Sequence, residues 1–352
     1  MRAKKVTFQT IADSLGVSKG LVSLAIRDKY GVSEEMRSKI VLKAIELGYE
    51  FKKESKEEKK SITLLVKNMG ILNEDFWRRC ILGIEAECSE RKIAFTILGW
   101  MDGRDGEDFS VSIINEKCRG IIVLNQCRRS IVEKIGRLNV PIVFVDMINP
   151  IDIPSDQVMA NNFGAGMQAV NYLLAKGHRD ILLFGNIEYS FSFLQRFYGC
   201  MKALKHAQKR GEKVHGYTVI DCVKTHLVED VYQDDESDLC NDAALKTFFE
   251  EGKAVSAVVC FNDSILRRVL HIFRKKGIRV PEDISVISID NVQCSEDNGI
   301  TSVDIPKAEL GAQAVRLLAD RLENKRSNSV NLELNTRIIE RNSVKYLDHE
   351  KN

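Results

Sequence analysis

Polar side chains follow several short apolar runs in the chain beyond residue 61. Asp146 follows PIVFV, Asn262 and Asp263 follow AVVCF, Asp290 follows ISVISI, and Arg196 lies in the amphipathic stretch FSFLQRFYG. Carboxylate, amide and guanidinium groups that converge on one cleft can hold a polar small molecule through directed hydrogen bonds. The set therefore predicts a ligand-binding cleft.

An aromatic residue, Phe76, comes shortly after the first apolar run, ITLLV, and its ring can stack on the apolar face of a ligand. An alternative interpretation of the polar residues is structural, because Asp and Asn at such junctions often cap the following helix. For Asn262 or Asp263 alone the two interpretations are equally good. The whole set favours the cleft.

A second group of chemically useful side chains lies in the stretch VTFQTIADSLGVSKGLVSLAIRD, residues 6–28. Apolar residues recur there at helical spacing and Gly16 interrupts them, which predicts two short helices joined by a tight turn, with Ser18 capping the second. The outward positions of the second helix are small, polar or basic: Lys19, Gly20, Ser23 and Arg27. Such a surface can enter a DNA major groove, because small residues allow close approach and polar groups meet phosphates and base edges.

The surrounding sequence favours DNA binding over the alternative, a generic helical hairpin in a globular core. A third helix is predicted over SEEMRSKIVLKAIELGY with Ser33 as its cap, and three helices can close a small core. Residues 1–60 contain 14 Lys plus Arg against 9 Asp plus Glu, whereas the rest of the chain contains 38 against 41. The positive charge thus coincides with the helical hairpin, as expected of a DNA-binding head.

The elements that must position the cleft residues are apolar runs of strand length that alternate with amphipathic helices. The predicted strands lie near 62–66, 93–98, 120–124, 142–145, 181–184, 217–220, 256–260 and 284–289. The predicted helices lie near 76–91, 107–116, 130–138, 163–176, 193–208, 240–251 and 262–276. This alternation is typical of parallel α/β sheets, which bind ligands at the carboxyl ends of their strands. Two such runs predict two lobes and a cleft.

Composition limits the remaining classes of function. With 352 residues, 44% of them hydrophobic and 29% charged, the chain fits a globular protein of two or three domains. No apolar run is long enough to span a membrane and the N-terminus, MRAKK, is unlike a signal peptide, so we expect a cytoplasmic protein. Nine cysteines and six histidines show no metal-ligand spacing, so we expect neither a metal nor a cofactor.

Two local patterns look like ligand motifs without the necessary context. GAGMQA, residues 164–169, matches a dinucleotide fingerprint, but Asp180 begins a strand instead of ending one, and the preceding VMANN is a poor buried strand. The acidic cluster DDESD, residues 234–238, lacks the Gly and the Glu of a calcium loop, which favours a solvated loop. Because no nucleophile and base pair or phosphate loop stands out, we expect no enzymatic activity.

Motifs along nearly the full chain resemble those of the lactose-repressor (LacI/GalR) family of bacterial transcription regulators. In the head the similarity rests on VTFQTIA, GVS and ELGY. In the remainder it rests on KGHRDILLFG, RFYG, FND, KGIRVPEDISVISIDN, TSVDIP and RNS. The stretch GIRVPEDISVISIDN is highly specific for this family, whereas the head alone is moderately specific.

The resemblance implies an all-α, three-helix helix-turn-helix head and an α/β effector domain whose two lobes are similar to periplasmic sugar-binding proteins. It places the DNA-binding domain at 1–50, a linker or hinge at 51–61 and the effector-binding and dimerisation domain at 62–345. Lobe 1 is expected at 62–160 and 294–323, and lobe 2 at 161–293 and 324–345. The family also implies a homodimer on a palindromic double-stranded DNA operator, controlled by a small molecule in the cleft.

Matched position by position, the resemblance implies roles for individual residues. The implied DNA-binding residues are Thr7, Ser18, Lys19, Gly20 and Ser23, and Gln9 and Arg27 of the same head are further candidates. The implied effector-binding residues are Phe76, Asp146, Arg196, Asn262 and Asp290. Because this set is closer to the sugar-responsive members than to the purine-responsive ones, we expect a repressor that responds to a sugar.

The chain departs from the family pattern in the recognition helix and the linker, as well as at Arg27, Asn161 and Ser288, where the family usually has Asn, Asp and Gly. Leu21 and Leu24 stand where the recognition helix usually carries Thr and Arg, which removes a guanine-reading guanidinium and leaves contact with thymine methyl groups as a substitute. The linker EFKKESKEEKK lacks the Pro, Ala and Leu of the usual hinge, whose leucine wedges into the minor groove. These departures leave an alternative open, a solute-binding sensor of the same body fold with weak or degenerate DNA binding.

Overall fold

The computed structural model describes residues 6–26, 31–47, 49, 61–67, 69–99, 118–125, 127, 129–147, 153–219 and 254–348. The chain divides into two units, residues 1–58 and residues 59–352. Several predicted features lie outside the described residues: Arg27, the linker at 51–60, the helices near 107–116 and 240–251, and the acidic cluster at 234–238. Among the described residues, no helix combines the length and the apolar character needed to cross a membrane.

The first unit contains the three predicted helices, α1 (Phe8–Leu15), α2 (Lys19–Ile26) and α3 (Glu34–Glu46). The Thr7 hydroxyl caps α1, and Gly16 ends this helix in the left-handed conformation with a φ of 65°. Ser18 caps α2 as predicted, since its Oγ accepts a hydrogen bond from Leu21 N at 3.1 Å. The helices enclose a small core of buried side chains: Ile11, Ala12, Val22, Ala25, Ile40 and Ala44.

The second unit alternates strands and helices, as the sequence predicted. Its first half contains β1 (Ser61–Val66), α4 (Asp75–Glu90), β2 (Ala94–Gly99), β3 (Cys118–Leu124), α5 (Arg129–Gly136), β4 (Ile142–Val145), β5 (Asp156–Ala160), α6 (Asn162–Ala175), β6 (Asp180–Phe184) and α7 (Phe191–Lys209). Its second half contains β7 (His215–Val219), β8 (Ala257–Cys260), α8 (Asp263–Lys276), β9 (Ser285–Asp290), α9 (Gln293–Asp297), β10 (Thr301–Asp304), α10 (Lys307–Leu322), β11 (Asn331–Leu334) and β12 (Arg337–Ile339).

These strands form two six-stranded sheets, which confirms the predicted pair of α/β lobes. The strand order is β11-β5-β4-β3-β1-β2 in the first sheet and β12-β10-β9-β8-β6-β7 in the second. Neighbouring strands are parallel except for β12, which is antiparallel to β10. Every residue of the central strands β4 and β9 is buried. β4 is a continuous apolar run because crossover helices cover both faces of a parallel sheet, whereas β9 also contains the buried serines Ser285 and Ser288.

The chain crosses between the two sheets after β5, after β10 and after β11, and two predicted lobe boundaries need correction. β10 pairs with β9, so the predicted return to lobe 1 at residue 294 is wrong. The return begins with α10, which packs on α4 and on the first sheet, and continues with β11, which pairs with β5. Only β12 then rejoins the second sheet. The runs TSVD and NLEL are too short to reveal their partners, which are distant in sequence.

β5 also corrects the judgement that the residues before GAGMQA make a poor buried strand. Four of its five residues are buried, including Asp156. The Asp156 carboxylate accepts hydrogen bonds from both terminal nitrogens of Arg326, each at 2.7 Å, which compensates its burial. Gly166 of the motif lets α6 approach α7 closely, since an added Cβ would lie 2.0 Å from Arg196 O. Helix packing therefore accounts for this glycine.

Candidate functional site

A cavity of about 510 Å³ lies in the second unit, and side chains from the lobes of both sheets line it. All five residues that the resemblance implied as effector-binding line this cavity: Phe76, Asp146, Arg196, Asn262 and Asp290. Three of them stand where strands end, after β4, after β8 and at the last residue of β9. The cavity therefore lies at the carboxyl ends of parallel strands, and its volume is within the range of small-molecule sites.

Arg196, in α7, connects three other elements of the second lobe. Its Nε donates a hydrogen bond to Asn162 Oδ1 at 2.9 Å, and its Nη1 donates one to Phe261 O. Its Nη2 lies 3.0 Å from Asp290 Oδ1. The side chain is 3% exposed, so these contacts hold the guanidinium group in a fixed orientation. A guanidinium has five N–H donors, and these three contacts within the described residues leave two for a ligand.

Asp290 carries its carboxylate on a strained turn at the end of β9. Its φ is 114°, and that of Asn291 is 56°, so two successive residues other than glycine adopt the left-handed region. Burial raises the pKa of the Asp290 carboxyl, and the positive charges of Arg196 and Lys307 oppose this rise. Backbone strain of this kind costs free energy and is concentrated at binding sites, because the surrounding contacts must maintain it.

Asp146 provides a second carboxylate and a link between the lobes. It follows β4 of the first sheet, with a φ of 55°, and its Oδ1 accepts a hydrogen bond from Ser192 Oγ, in α7, at 2.8 Å. Burial raises the pKa of Asp146 to about 6, while the charge of Arg196 and the Ser192 hydroxyl oppose the rise and the charge of Asp290 adds to it. Asp146 is therefore an ionised hydrogen-bond acceptor above this pH and a protonated donor below it.

Asn262 combines the two interpretations that the sequence left open. Its Oδ1 accepts a hydrogen bond from Ile265 N at 2.9 Å and caps α8, yet the side chain also lines the cavity. The amide nitrogen is then the group that it can offer to a ligand. Asp263 also lines the cavity, and its buried carboxylate accepts hydrogen bonds from Ser295 Oγ at 2.8 Å and Val292 N at 2.7 Å, which hold the segment after β9 to the start of α8.

Sequence reasoning missed several residues that line the cavity: Lys67, Asp75, Trp77, Asn125, Tyr189, Ser192, Phe193 and Arg267. The aromatic rings had a usable signal, because Trp77 follows Phe76 directly and their ring centroids lie 4.9 Å apart. Asp75 had none. Its Oδ2 accepts a hydrogen bond from Gln293 N at 3.0 Å, a contact between the lobes that joins residues 218 positions apart.

The candidate DNA-binding surface belongs to the first unit. Its described members are exposed except for Ser23, which is half-buried: Thr7, Gln9, Ser18, Lys19, Gly20 and Ser23. Thr7 and Gln9 also serve α1, because Thr7 caps it and Gln9 Nε2 donates to Asp13 Oδ1 at 2.8 Å. A Cβ at Gly20 would meet Ser18 Oγ at 3.8 Å, an ordinary contact. The unit itself therefore has room for a side chain at this position of α2.

Known proteins are similar to this chain along almost its whole length. Residues 170–344 match the family described as a periplasmic binding protein-like domain. The HTH-type transcriptional regulator CelR of Thermobifida fusca is 26% identical over 97% of this chain and 99% of its own length. The HTH-type transcriptional repressor PurR of Vibrio atlanticus (strain LGP32) is 27% identical over 97% of this chain and 99% of its own length.

Solved structures share the fold. The complex of the transcriptional regulator CelR with cellobiose has a TM-score of 0.66 and 24% identity, and the similarity covers 96% of this chain and 100% of that one. The lac repressor dimer bound to operator and the anti-inducer ONPF has a TM-score of 0.64 and 19% identity, with 97% and 100% of the two chains covered. These similarities confirm the predicted fold, a helical head followed by a two-lobed α/β body.

Proposed function

We propose that the chain is a member of the lactose-repressor (LacI/GalR) family of transcription regulators and a sequence-specific DNA-binding repressor controlled by a sugar. The observation that carries this proposal is the cavity, which gathers Phe76, Asp146, Arg196, Asn262 and Asp290 from five separate parts of the sequence. The ligand is bound and released unchanged, so the function requires no catalytic step. A bacterial transcription regulator binds chromosomal DNA, which lies in the cytoplasm, and this supports a cytoplasmic location.

The chemistry of the cavity supports a polyhydroxylated ligand. Carboxylates accept hydrogen bonds from hydroxyl groups, whereas guanidinium and amide nitrogens donate to hydroxyl and ring oxygens. The rings of Phe76, Trp77 and Tyr189 line the same cavity and offer flat apolar surfaces for the C–H faces of a sugar. The structural similarity to CelR bound to cellobiose supports the same ligand class. A purine is the alternative, because a repressor named PurR is among the relatives.

The proposed DNA interface is the exposed surface of α2 and the start of α1. Ser18, Lys19, Gly20 and Ser23 present hydroxyl and ammonium groups around a position with little bulk, as entry into a major groove requires. The proposed assembly is a homodimer on a palindromic operator, because two symmetry-related heads read two symmetry-related half-sites. The lac repressor dimer on its operator supports this arrangement.

The proposed control works through the arrangement of the two lobes. A ligand in the cavity would touch Phe76 and Asp146 of lobe 1 and Arg196, Asn262 and Asp290 of lobe 2 at the same time. The ligand therefore stabilises the lobe arrangement in which all these groups contact it. The operator stabilises the arrangement in which the two heads match the two half-sites. Ligand and operator then change each other's affinity by the same factor.

The full-length chain tests this proposal by selection of bound fragments from sheared genomic DNA, followed by footprinting of the recovered site. We expect a palindromic site whose affinity changes with one member of a panel of neutral mono- and disaccharides that includes cellobiose, and not with purine bases. Lys19→Ala should weaken binding to this site, whereas Lys202→Ala, an exposed change in α7, should not. Recovery of no preferred fragment at low salt would refute the proposal, and a response to purines alone would refute the sugar.

A further inference from the structure

Lys307 is a buried cation close to the cavity, and it does not line the cavity. It is 4% exposed and is the first residue of α10, immediately after the chain crosses from the second sheet to lobe 1. A buried ammonium group is stable only where acceptors replace its lost hydration. Its contacts therefore show which parts of the protein it holds together.

The ammonium group lies among oxygen atoms of two loops. Nζ donates hydrogen bonds to Asp290 O, to Asn291 O at 3.3 Å and to Ile305 O at 2.9 Å. It also lies 3.3 Å from Asp304 Oδ1. Two of these acceptors belong to the strained turn at the end of β9, and the other two belong to the last residue of β10 and the first residue of the crossing segment. One side chain thus ties the turn that carries Asp290 to the segment that joins the lobes.

A further contact reaches the opposite wall of the cavity. Lys307 Nζ lies 6.0 Å from the centroid of the Phe76 ring, within the range of a cation–π interaction. Phe76 belongs to α4 of lobe 1, whereas Asp290 belongs to β9 of lobe 2. The position of Lys307 therefore depends on both walls between which a ligand would bind.

Other contacts stabilise the same turn without linking it to the opposite wall. Asn291 N donates to Ser302 Oγ at 3.1 Å, Asn291 Nδ2 donates to Asp304 Oδ1 at 3.2 Å, and Arg341 Nη2 donates to Asn291 Oδ1 at 2.8 Å. These bonds hold the Asn291 side of the turn. Among the described residues, Lys307 is the group that bonds the Asp290 carbonyl and also approaches Phe76.

We propose that Lys307 is a positioning residue of the cavity, which fixes the Asp290 turn and couples it to the lobe crossing and to Phe76. The expected effect of Lys307 on ligand binding rests on the proposed effector site. Lys307 itself does not touch the ligand. Its role is to keep two cavity walls and one interlobe connection in a single arrangement, so that a change at any of them is transmitted to the others.

The test is Lys307→Met in the full-length chain, which keeps the length of the side chain and removes its charge and its donors. The control is Lys325→Met, which removes a Lys whose ammonium is largely exposed and lies 2.8 Å from Glu323. Amide hydrogen exchange followed by mass spectrometry reports the turn without any ligand. We expect about tenfold faster exchange in peptides covering 288–294 and 303–307, with α8 and β3 unchanged.

A second arm measures cellobiose binding by calorimetry. We expect about tenfold weaker binding for Lys307→Met and wild-type affinity for the control. If the wild type does not bind cellobiose, cellobiose is not its ligand, and the exchange arm still decides on Lys307. Asp304→Ala, which removes one acceptor of the ammonium group, should accelerate exchange of the same peptides to a smaller extent and serves if Lys307→Met does not fold. Wild-type exchange at 288–294 in a folded variant would overturn the proposal.

Discussion

Arg196→Lys is the substitution whose consequences follow most directly from the geometry of the cavity. The change keeps the positive charge beside Asp290 and replaces three separate nitrogens by one. Asn162 Oδ1 and Phe261 O accept hydrogen bonds from two different guanidinium nitrogens, and the third nitrogen lies 3.0 Å from Asp290 Oδ1 in an ion pair. A lysine ammonium close enough to Asp290 to neutralise it cannot reach both other acceptors, because a lysine side chain ends in one nitrogen atom.

The expected loss of stability follows from the acceptors left behind. A buried acceptor without a donor costs about 1–3 kcal/mol, so one or two of them lower the free energy of unfolding by about 1–6 kcal/mol. Arg196→Ala should cost more, because an unpaired buried carboxylate adds to the loss and breaking a buried ion pair costs about 3–5 kcal/mol. Loss of the two remaining donors should also weaken sugar binding by about 10- to 100-fold.

Urea unfolding followed by circular dichroism, together with calorimetric titration of the sugar, measures both effects. Arg137→Lys is the matched control, since Arg137 is exposed and does not line the cavity. We expect this control to unfold and bind as the wild type does. The reasoning would be refuted if Arg196→Lys were as stable as the control and bound the sugar with unchanged affinity.

Three further substitutions test other parts of the structure. Gly20→Leu should leave the melting temperature of the head unchanged, because α2 has room for a side chain at this position. It should weaken operator binding at least about tenfold in an anisotropy titration, because a DNA groove has no room for the added side chain. Equal binding would place Gly20 outside the interface. Asp146 has a pKa of about 6 against an ordinary value of 3.8, so the folded chain takes up a proton that the unfolded chain does not. The free energy of unfolding should therefore fall as the pH rises from about 4 to about 6, by up to about 3 kcal/mol, and Asp146→Asn should flatten the profile measured by urea unfolding; an unflattened profile would contradict the assignment. Asp156→Ala leaves Arg326 without its carboxylate and should lower the free energy of unfolding by about 3–5 kcal/mol, whereas a loss below about 1 kcal/mol would show that the pair stabilises little.

The sequence predicted the elements whose pattern is local. β4 is a continuous apolar run and β9 alternates apolar residues with buried serines, because both faces of each strand are covered, and the charged residues at their ends, Asp146 and Asp290, stand out. Ser18 was predicted as the cap of α2 from its residue type and position alone. Such features depend on a few neighbouring residues, and a single sequence contains that information.

The features that the sequence did not reveal depend on distant contacts. The stretch VMANN looked like a poor buried strand, yet it contains the end of β5, and this strand also buries Asp156, whose partner Arg326 lies 170 positions further along the chain. The sheet to which β10 belongs is decided by pairing with β9 and not by any pattern in TSVD. Asp75 and Lys307 have no periodic signal at all, because their roles come from loops that meet only when both lobes have formed.

The most direct test of the account is the operator dissociation constant of the full-length chain, measured by fluorescence anisotropy at fixed salt over a range of sugar concentrations. We predict a change of at least about tenfold in the wild type, with the midpoint at a higher sugar concentration in Arg196→Lys. An operator affinity that stays constant while the sugar saturates the cavity would contradict the proposed control of DNA binding by the sugar.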